Sequence, residues 1–578
     1  MYSLNIVNIT IFIFYFYFFL VSFVGYSFAF ASLIKLNNKF INNGLICFLG
    51  FFIITLFSYI SVLFVKHGFL HNTILHVTGI ILFFSFVNNK ILNKNFIINL
   101  FKISFLVFLA LFISKTNDDF SYYHLPFIMI LVENKIQFGL GNLNTAYNHI
   151  SSLFFLNSTL YMPFIKHYSF NFINIYFLIF INLYFYYELI ETKINKINFN
   201  FYINLLFFIL INVAFSRIAE YGTDLQGQFL GIILLIELSK ILSLENIIKK
   251  NDSLILLVIL IFYLITLKVL FIVYLIFPLI VFYYSKSRLL LLKNNLIFSS
   301  LFFVFLFCLL FLIHNFINSG CLIYGFKFLC FGGEKIFWGI PPEEMIQRRI
   351  WIETWAKAGA DPNFRVENVE FYLSNFHWVD NWFKMHFFTK ISDFILILLI
   401  IIFSTFFTFF SFNKDKNINK RTNKKNYKFY IVYTLILSLF FIWFINHPTI
   451  RYGGYIIISA LFFLPAAKYL VIFFKFNRDV KKKLYILITV TFLIFNFKNV
   501  IRIVNEFKRN DFYKFTNFPF YASETDKYKK YYTSSGHLLY MADGTVGNHC
   551  WALPTPCGYI DNNIKSKEVF NYIFYYRD

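Results

Sequence analysis

Two adjacent aspartates, Asp118 and Asp119, stand in "SKTNDDFSYYHLPF" (Ser114 to Phe127), directly behind an almost wholly apolar run and ahead of Tyr122, Tyr123 and His124. Adjacent carboxylates cannot both ionise freely unless a cation lies between them, so one pKa should rise. A positioned carboxylate can take the proton from an attacking hydroxyl, a general-base contribution of about 10²–10⁴ in rate. The same oxygens could instead ligate a divalent cation, Mg or Mn. The plainer alternative is that the pair caps a helix, since Asp favours helix starts.

Other polar groups interrupt apolar runs. "FSRIAEYGTDLQGQ" (Phe215 to Gln228) carries Arg217, Glu220, Asp224, Gln226 and Gln228. An Arg217–Glu220 pair at helical spacing accounts for two of these and leaves Asp224 as a pocket candidate. "NHPTIRYGGY" (Asn446 to Tyr455) is a turn broken by Pro448 and two glycines, with Arg451 as its fixed cation. The forked donors of Arg suit a phosphate, whereas snorkelling to lipid headgroups is the structural alternative. Lys268, alone in an apolar stretch, could also hold a phosphate or could simply mark a turn between short helices. His377 and His386 lie near Trp378 and Trp382, tryptophans that an interfacial aromatic belt would explain.

The elements that must position these groups follow from composition. The chain has 578 residues, 59% hydrophobic and 14% charged, against roughly 25% charged in soluble proteins. Repeated apolar runs predict an all-α polytopic membrane protein with about 13–14 transmembrane helices between residues 5 and 500. The net charge of +23 says little about partners, because Phe, Ile, Asn, Lys and Tyr dominate throughout. Its distribution is more informative: "NKDKNINKRTNKKNYK" (Asn413 to Lys428) and "KFNRDVKKK" (Lys475 to Lys483) should face the cytoplasm. Alternation then puts both termini outside, together with segments 115–169, 318–390 and 501–578. The count closes only if 254–285 is two short spans turning near Lys268. Within 115–169, two apolar stretches are expected to lie as interfacial helices along the outer membrane face, joined by "GLGNLNTAYNH" (Gly139 to His149).

Four cysteines, Cys321, Cys330, Cys550 and Cys557, fall in the predicted outer segments, where disulfides can form. Four cysteines permit three pairings, among which the spacing alone does not choose; Cys321–Cys330 with Cys550–Cys557 is expected because each closes a short loop. A zinc site is the rival, at spacings that are not C-x-x-C. Segment 501–578 is expected to be a small periplasmic domain depending on its disulfide. No P-loop, GxGxxG or HExxH motif occurs, and nothing suggests nucleic-acid binding.

An apolar helix, then a loop opening with an acidic pair and "YYHL", then two interfacial helices, resembles the GT-C superfamily of membrane glycosyltransferases. The resemblance implies a core over 96–317 with first outer loop 115–169, preceded by extra helices in 1–95 and followed by outer loop 318–390 and helices in 391–500. It implies a multi-pass protein of a bacterial inner membrane that moves a sugar from a polyprenyl-phosphate donor to a glycan, lipid or protein acceptor on the outer face. Asp118 or Asp119 would be the essential acid, followed by Tyr123 and His124; read from the residues themselves, Arg217, Asp224, Lys268 and Arg451 would join them in lining the substrate site. The alternative readings are a transporter or flippase of lipid-linked sugars, or a glycan ligase or polymerase of unrelated fold. "SGCLIYGFKFLCF" (Ser319 to Phe331), "WIETWAKAGADPNFRVEN" (Trp351 to Asn368) and "CWALPTPC" (Cys550 to Cys557) are similar to an uncharacterised bacterial family of large membrane proteins.

Overall fold

The computed structural model describes residues 6–37, 41–113, 119–191, 198–215, 222–244, 246–285, 295–333, 336–360, 365–409, 427–473, 478–509, 527–543, 549–558 and 563–577. Among these, 11 helices are long and apolar enough to cross a bilayer. The chain is a multi-pass membrane protein. Other predicted crossings fall short of that length: Lys94–Leu106, Phe199–Ala214 and Val269–Tyr283. The apolar stretch 254–285 does divide at Lys268, whose extended backbone (φ −157°, ψ 120°) ends helix Ile247–Leu267 and starts the turn Val269–Leu275.

The helices sort into a core and a rim. Windows in Asn43–Ser61 and Asp224–Ser243 are 83% buried, against 22% in Phe69–Asn88 and 28% in Val379–Phe409, so the latter two present most of their surface to lipid. The peripheral helix Phe69–Asn88 is held against Ile6–Leu33 by small residues. A Cβ on Gly25 would collide with the Gly79 carbonyl oxygen, and one on Gly79 would meet Ser22. Close backbone approach through small residues is how helices associate where the hydrophobic effect gives no preference between lipid and protein.

Segment 119–170 departs from the sequence expectation. Helices Leu125–Glu133 and Ser152–Ser158 do form, but both are buried along almost their whole length rather than resting on a membrane face. Their polar atoms find partners on every side. Ser151 donates to the Leu267 carbonyl at 2.8 Å, and Ser158 meets His67 Nδ1 at 2.7 Å. The Asn72 amide donates to the carbonyls of His67, Ser158 and Tyr161, each at 2.9 Å. Such a satisfied network makes burial of a polar segment affordable and fixes its position.

The cover over this segment comes from the far end of the chain. Strands β1 (Tyr528–Tyr532) and β2 (Leu538–Ala542) form one antiparallel hairpin, and β3 (Ile564–Val569) and β4 (Tyr572–Arg577) another. Phe138 exchanges backbone hydrogen bonds with Ile573 and Tyr575, and its ring stacks on Phe574 at 4.2 Å. Between the hairpins lies the loop closed by the Cys550–Cys557 disulfide; Cys321 and Cys330 are bonded likewise.

Candidate functional site

Four chain breaks in helical structure meet at one place. Asp119 precedes the wide turn Phe120–His124, which opens helix Leu125–Glu133. Asp224 is the first residue of helix Asp224–Ser243. Lys268 occupies the extended break just described. Arg451 lies in the irregular turn Ile450–Gly454, where Gly453 takes φ +96°, a conformation that disfavours any residue with a Cβ. Each break frees backbone and lets a charged side chain point sideways into the gap.

The charges alternate. Arg451 lies 3.8 Å from Asp119 and, through Nε, 3.6 Å from Asp224. Lys268 Nζ pairs with Asp224 and also sits 4.2 Å over the Tyr452 ring. The Arg451 guanidinium stacks on Trp355 at 4.4 Å and meets the Tyr452 hydroxyl at 3.2 Å. Two acids and two cations therefore share one cluster, and their environments differ. Asp224 is held by both cations and its side chain is 21% exposed; among the described residues Asp119 pairs with Arg451 alone, at the longer distance, and its side chain is 39% exposed. Asp119 is thus the less neutralised and the more exposed of the two acids.

The turn that carries Arg451 is pinned by three donors. Trp382 Nε1 donates to the Pro448 carbonyl at 2.6 Å, and Trp443 Nε1 to that of Thr449 at 3.0 Å. Gln228 Nε2, one helical turn beyond Asp224, donates to the Arg451 carbonyl at 2.9 Å. Trp378 and Trp382 are buried, not spread on the membrane interface as an aromatic belt requires. A buried indole N–H needs an acceptor, and for Trp382 the helix-breaking Pro448 supplies one.

Among the other sequence candidates, Tyr123 and His124 are placed against this cluster. Burial raises the Tyr123 hydroxyl well above its ordinary range, and the nearby Asp119 and Asp224 charges push the same way. Burial lowers the His124 imidazole to about 4, against the opposing pull of Asp119 and Asp224 and with the help of Lys268 and Arg451. His124 is therefore neutral at physiological pH, and its ring packs on Phe154 at 5.0 Å. A group that titrates near 6.5 when unfolded and about 4 when folded withdraws stability as pH falls between those values, on the order of 3 kcal/mol in all. Melting of the full chain should accordingly weaken from pH 6.5 to 4, and His124→Gln should flatten that part of the profile. An unchanged profile would remove His124 from the buried neutral set.

Asp118 and Arg217 lie outside the described residues. The expected divalent-cation site at Asp118 and Asp119 therefore falls partly outside the described residues, and among the described residues Arg451 and Lys268 supply two positive charges beside Asp119 and Asp224. Sequence reasoning missed Trp355 and Tyr452, which form the aromatic wall; only their nearness to charged residues in the chain hinted at them.

The C-terminal loop braces the turn Phe120–His124 and the far end of helix Leu125–Glu133. The Trp551 amide donates to the Ser121 carbonyl at 3.0 Å, and His549 Nδ1 lies 2.7 Å from Ser121 Oγ. Thr555 Oγ1 donates to Glu133 at 2.6 Å, and the Tyr147 hydroxyl to the Cys557 carbonyl at 2.5 Å. The sequence separation of 7 between the bonded cysteines predicts a contribution of about 2–3 kcal/mol from closing the loop. Cys550→Ala/Cys557→Ala should lower stability by that amount and raise proteolysis of 528–577 before the membrane helices unfold. A double variant that melts and is cleaved like the wild type would show that the loop is held without its bridge.

Residues 8–458 match the family described as Domain of unknown function (DUF8201), and the chain belongs to that family. No curated protein and no solved structure matches it.

Proposed function

We propose that this DUF8201 protein is a membrane glycosyltransferase that takes its sugar from a polyprenyl phosphate and gives it to a hydroxyl of a glycan, lipid or protein on the outer face of a bacterial inner membrane. The observation that carries this reading is the part-exposed carboxylate of Asp119, 3.8 Å from Arg451. In the reaction, Asp119 accepts the acceptor's hydroxyl proton while that oxygen attacks the anomeric carbon. The bond from anomeric carbon to phosphate oxygen breaks, and the lipid phosphate leaves with its electron pair. Arg451, stacked and hydrogen-bonded so that its orientation is preset, absorbs the charge that develops on the phosphate. Asp224 and Lys268 position Arg451 and balance its charge. Tyr123 and His124, both uncharged, form the dry floor that strengthens these interactions.

The test uses purified full-length protein in nanodiscs, a labelled polyprenyl-phosphate sugar and a membrane extract as acceptor. Label should pass to acceptor with release of polyprenyl phosphate. In sealed vesicles, label that changes leaflet without bond cleavage would instead make the protein a flippase and end the transferase reading.

A further inference from the structure

Two turn tips present a phenylalanine where the backbone resists one. Among the described residues, Phe164 (φ 69°) and Phe570 (φ 49°) are the phenylalanines in the left-handed region, and they are 72% and 92% exposed. That conformation crowds a Cβ, and for a bulky residue it is an outlier. In the hairpin, Val569 pairs with Tyr572 and leaves Phe570 and Asn571 (φ 61°) as a two-residue loop, a turn that ordinarily selects Asn-Gly. Phe164 stands at the tip of a second tight turn, closed by the Lys166 amide donating to the Met162 carbonyl at 2.9 Å. Strain of this kind persists where a contact of the side chain compensates it.

Both tips lie at one end of the helical bundle. The Tyr572 hydroxyl donates to the Leu63 carbonyl at 2.9 Å, and Lys135 Nζ sits 4.4 Å over the Tyr572 ring. Tyr161, three residues before Phe164, stacks on Phe69 at 5.1 Å. Leu63 and Phe69 bracket the short link between the candidate spans Asn43–Ser61 and Phe69–Asn88. The tips are therefore held at the depth where the chain passes from lipid to water. The surface between them is apolar, with Phe64, Val65 and Leu70 exposed, and it continues into the lipid-facing side of Phe69–Asn88. Lys66 and Lys166 are exposed beside it. Aromatic rings at this depth with lysines reaching to headgroups form the usual anchor at a membrane–water boundary.

We propose that the tips carrying Phe164 and Phe570 insert into the boundary between headgroups and acyl chains, and so anchor the hairpin β3–β4 to the phospholipid surface. Continuity with a lipid-facing helix selects a bilayer as the occupant, since a protein seated on the tips would have to share that surface with acyl chains. Phe138 joins the hairpin to segment 119–170, and the loop ahead of the hairpin contacts Ser121. The anchor thus holds the C-terminal cover down on the segment that carries Asp119. The inference is independent of the transferase reading.

The test uses the full chain in phosphatidylcholine nanodiscs holding a single copy. Phe164→Cys, Phe570→Cys and, as control, Tyr532→Cys on strand β1 are each labelled with the environment-sensitive dye NBD in a Cys308→Ser background, Cys47 being buried. Phosphatidylcholine spin-labelled near the headgroup end of its acyl chain should quench the labels at 164 and 570 about threefold and leave that at 532 unchanged. Hydrogen exchange supplies a second readout. Glycine takes positive φ freely, so Phe570→Gly relaxes the turn, and a hairpin without an outside contact should exchange its amides no faster. An anchored hairpin should exchange those of 564–577 about fivefold faster once the ring is removed. Unquenched emission at either tip, equal quenching at 532, or no faster exchange in Phe570→Gly would each overturn the proposal. Emission at 570 that shifts to the blue yet stays unquenched would place that tip against protein, of this chain or another copy, and would overturn it as well.

Discussion

Asp119→Asn should lower sugar transfer by about 10²–10⁴-fold with little change in donor KM, the loss expected when a general base becomes an amide of the same shape. The expectation rests on how the charges are shared. Asp224 is tied up by Lys268 and Arg451, whereas the Asp119 side chain is more exposed and, among the described residues, pairs with Arg451 alone, at 3.8 Å. Asp118→Asn is the informative partner, and it should stay within tenfold of the wild-type rate. The opposite pattern, with loss confined to the Asp118 variant, would move the base by one residue. Full activity in both would remove the carboxylates from the chemistry. Asn preserves the volume and much of the hydrogen bonding at either position, so a lost rate in a normally folded variant speaks for proton transfer.

Lys268→Met should be the most damaging change for stability, lowering it by about 3 kcal/mol. That is the low end for removing one partner of a buried ion pair, because about a fifth of each side chain still meets solvent. The mechanism is an orphaned charge: among the described residues Asp224 then has its 3.6 Å contact to Arg451 as its one ion pair. Lys268→Met/Asp224→Asn should therefore recover most of the loss, since two neutral side chains of similar volume replace the pair. Transfer should remain impaired in the double variant, because Arg451 then has a single acid beside it and shifts toward Asp119. Recovered stability without recovered activity is the signature of a positioning role. A double variant no more stable than Lys268→Met would show instead that Lys268 acts through its packing on Tyr452. Thermal melting in nanodiscs and the transfer assay report the two quantities separately.

The features legible in the sequence are those set by local chemistry. Apolar runs of bilayer length mark the membrane helices whatever they pack against, because backbone groups in lipid must pair internally. A lysine inside a long apolar stretch, an aspartate at a helix start and an arginine in a turn with Pro448 and paired glycines all announce helix breaks, and breaks are where charge can be held. The two cysteine pairs were legible as short loops. What the sequence left open is which face of each helix meets protein. Lipid is as apolar as a protein core, so a membrane helix carries no polar stripe to separate the two sides. The burial of 125–133 and 152–158 depends on partners as distant as His67, Leu267 and Thr555. The meeting of residues 119, 224, 268, 355 and 451 is likewise a product of packing, not of spacing. Local sequence decided where charges could leave the helices, and only the tertiary structure decided that they leave into the same gap.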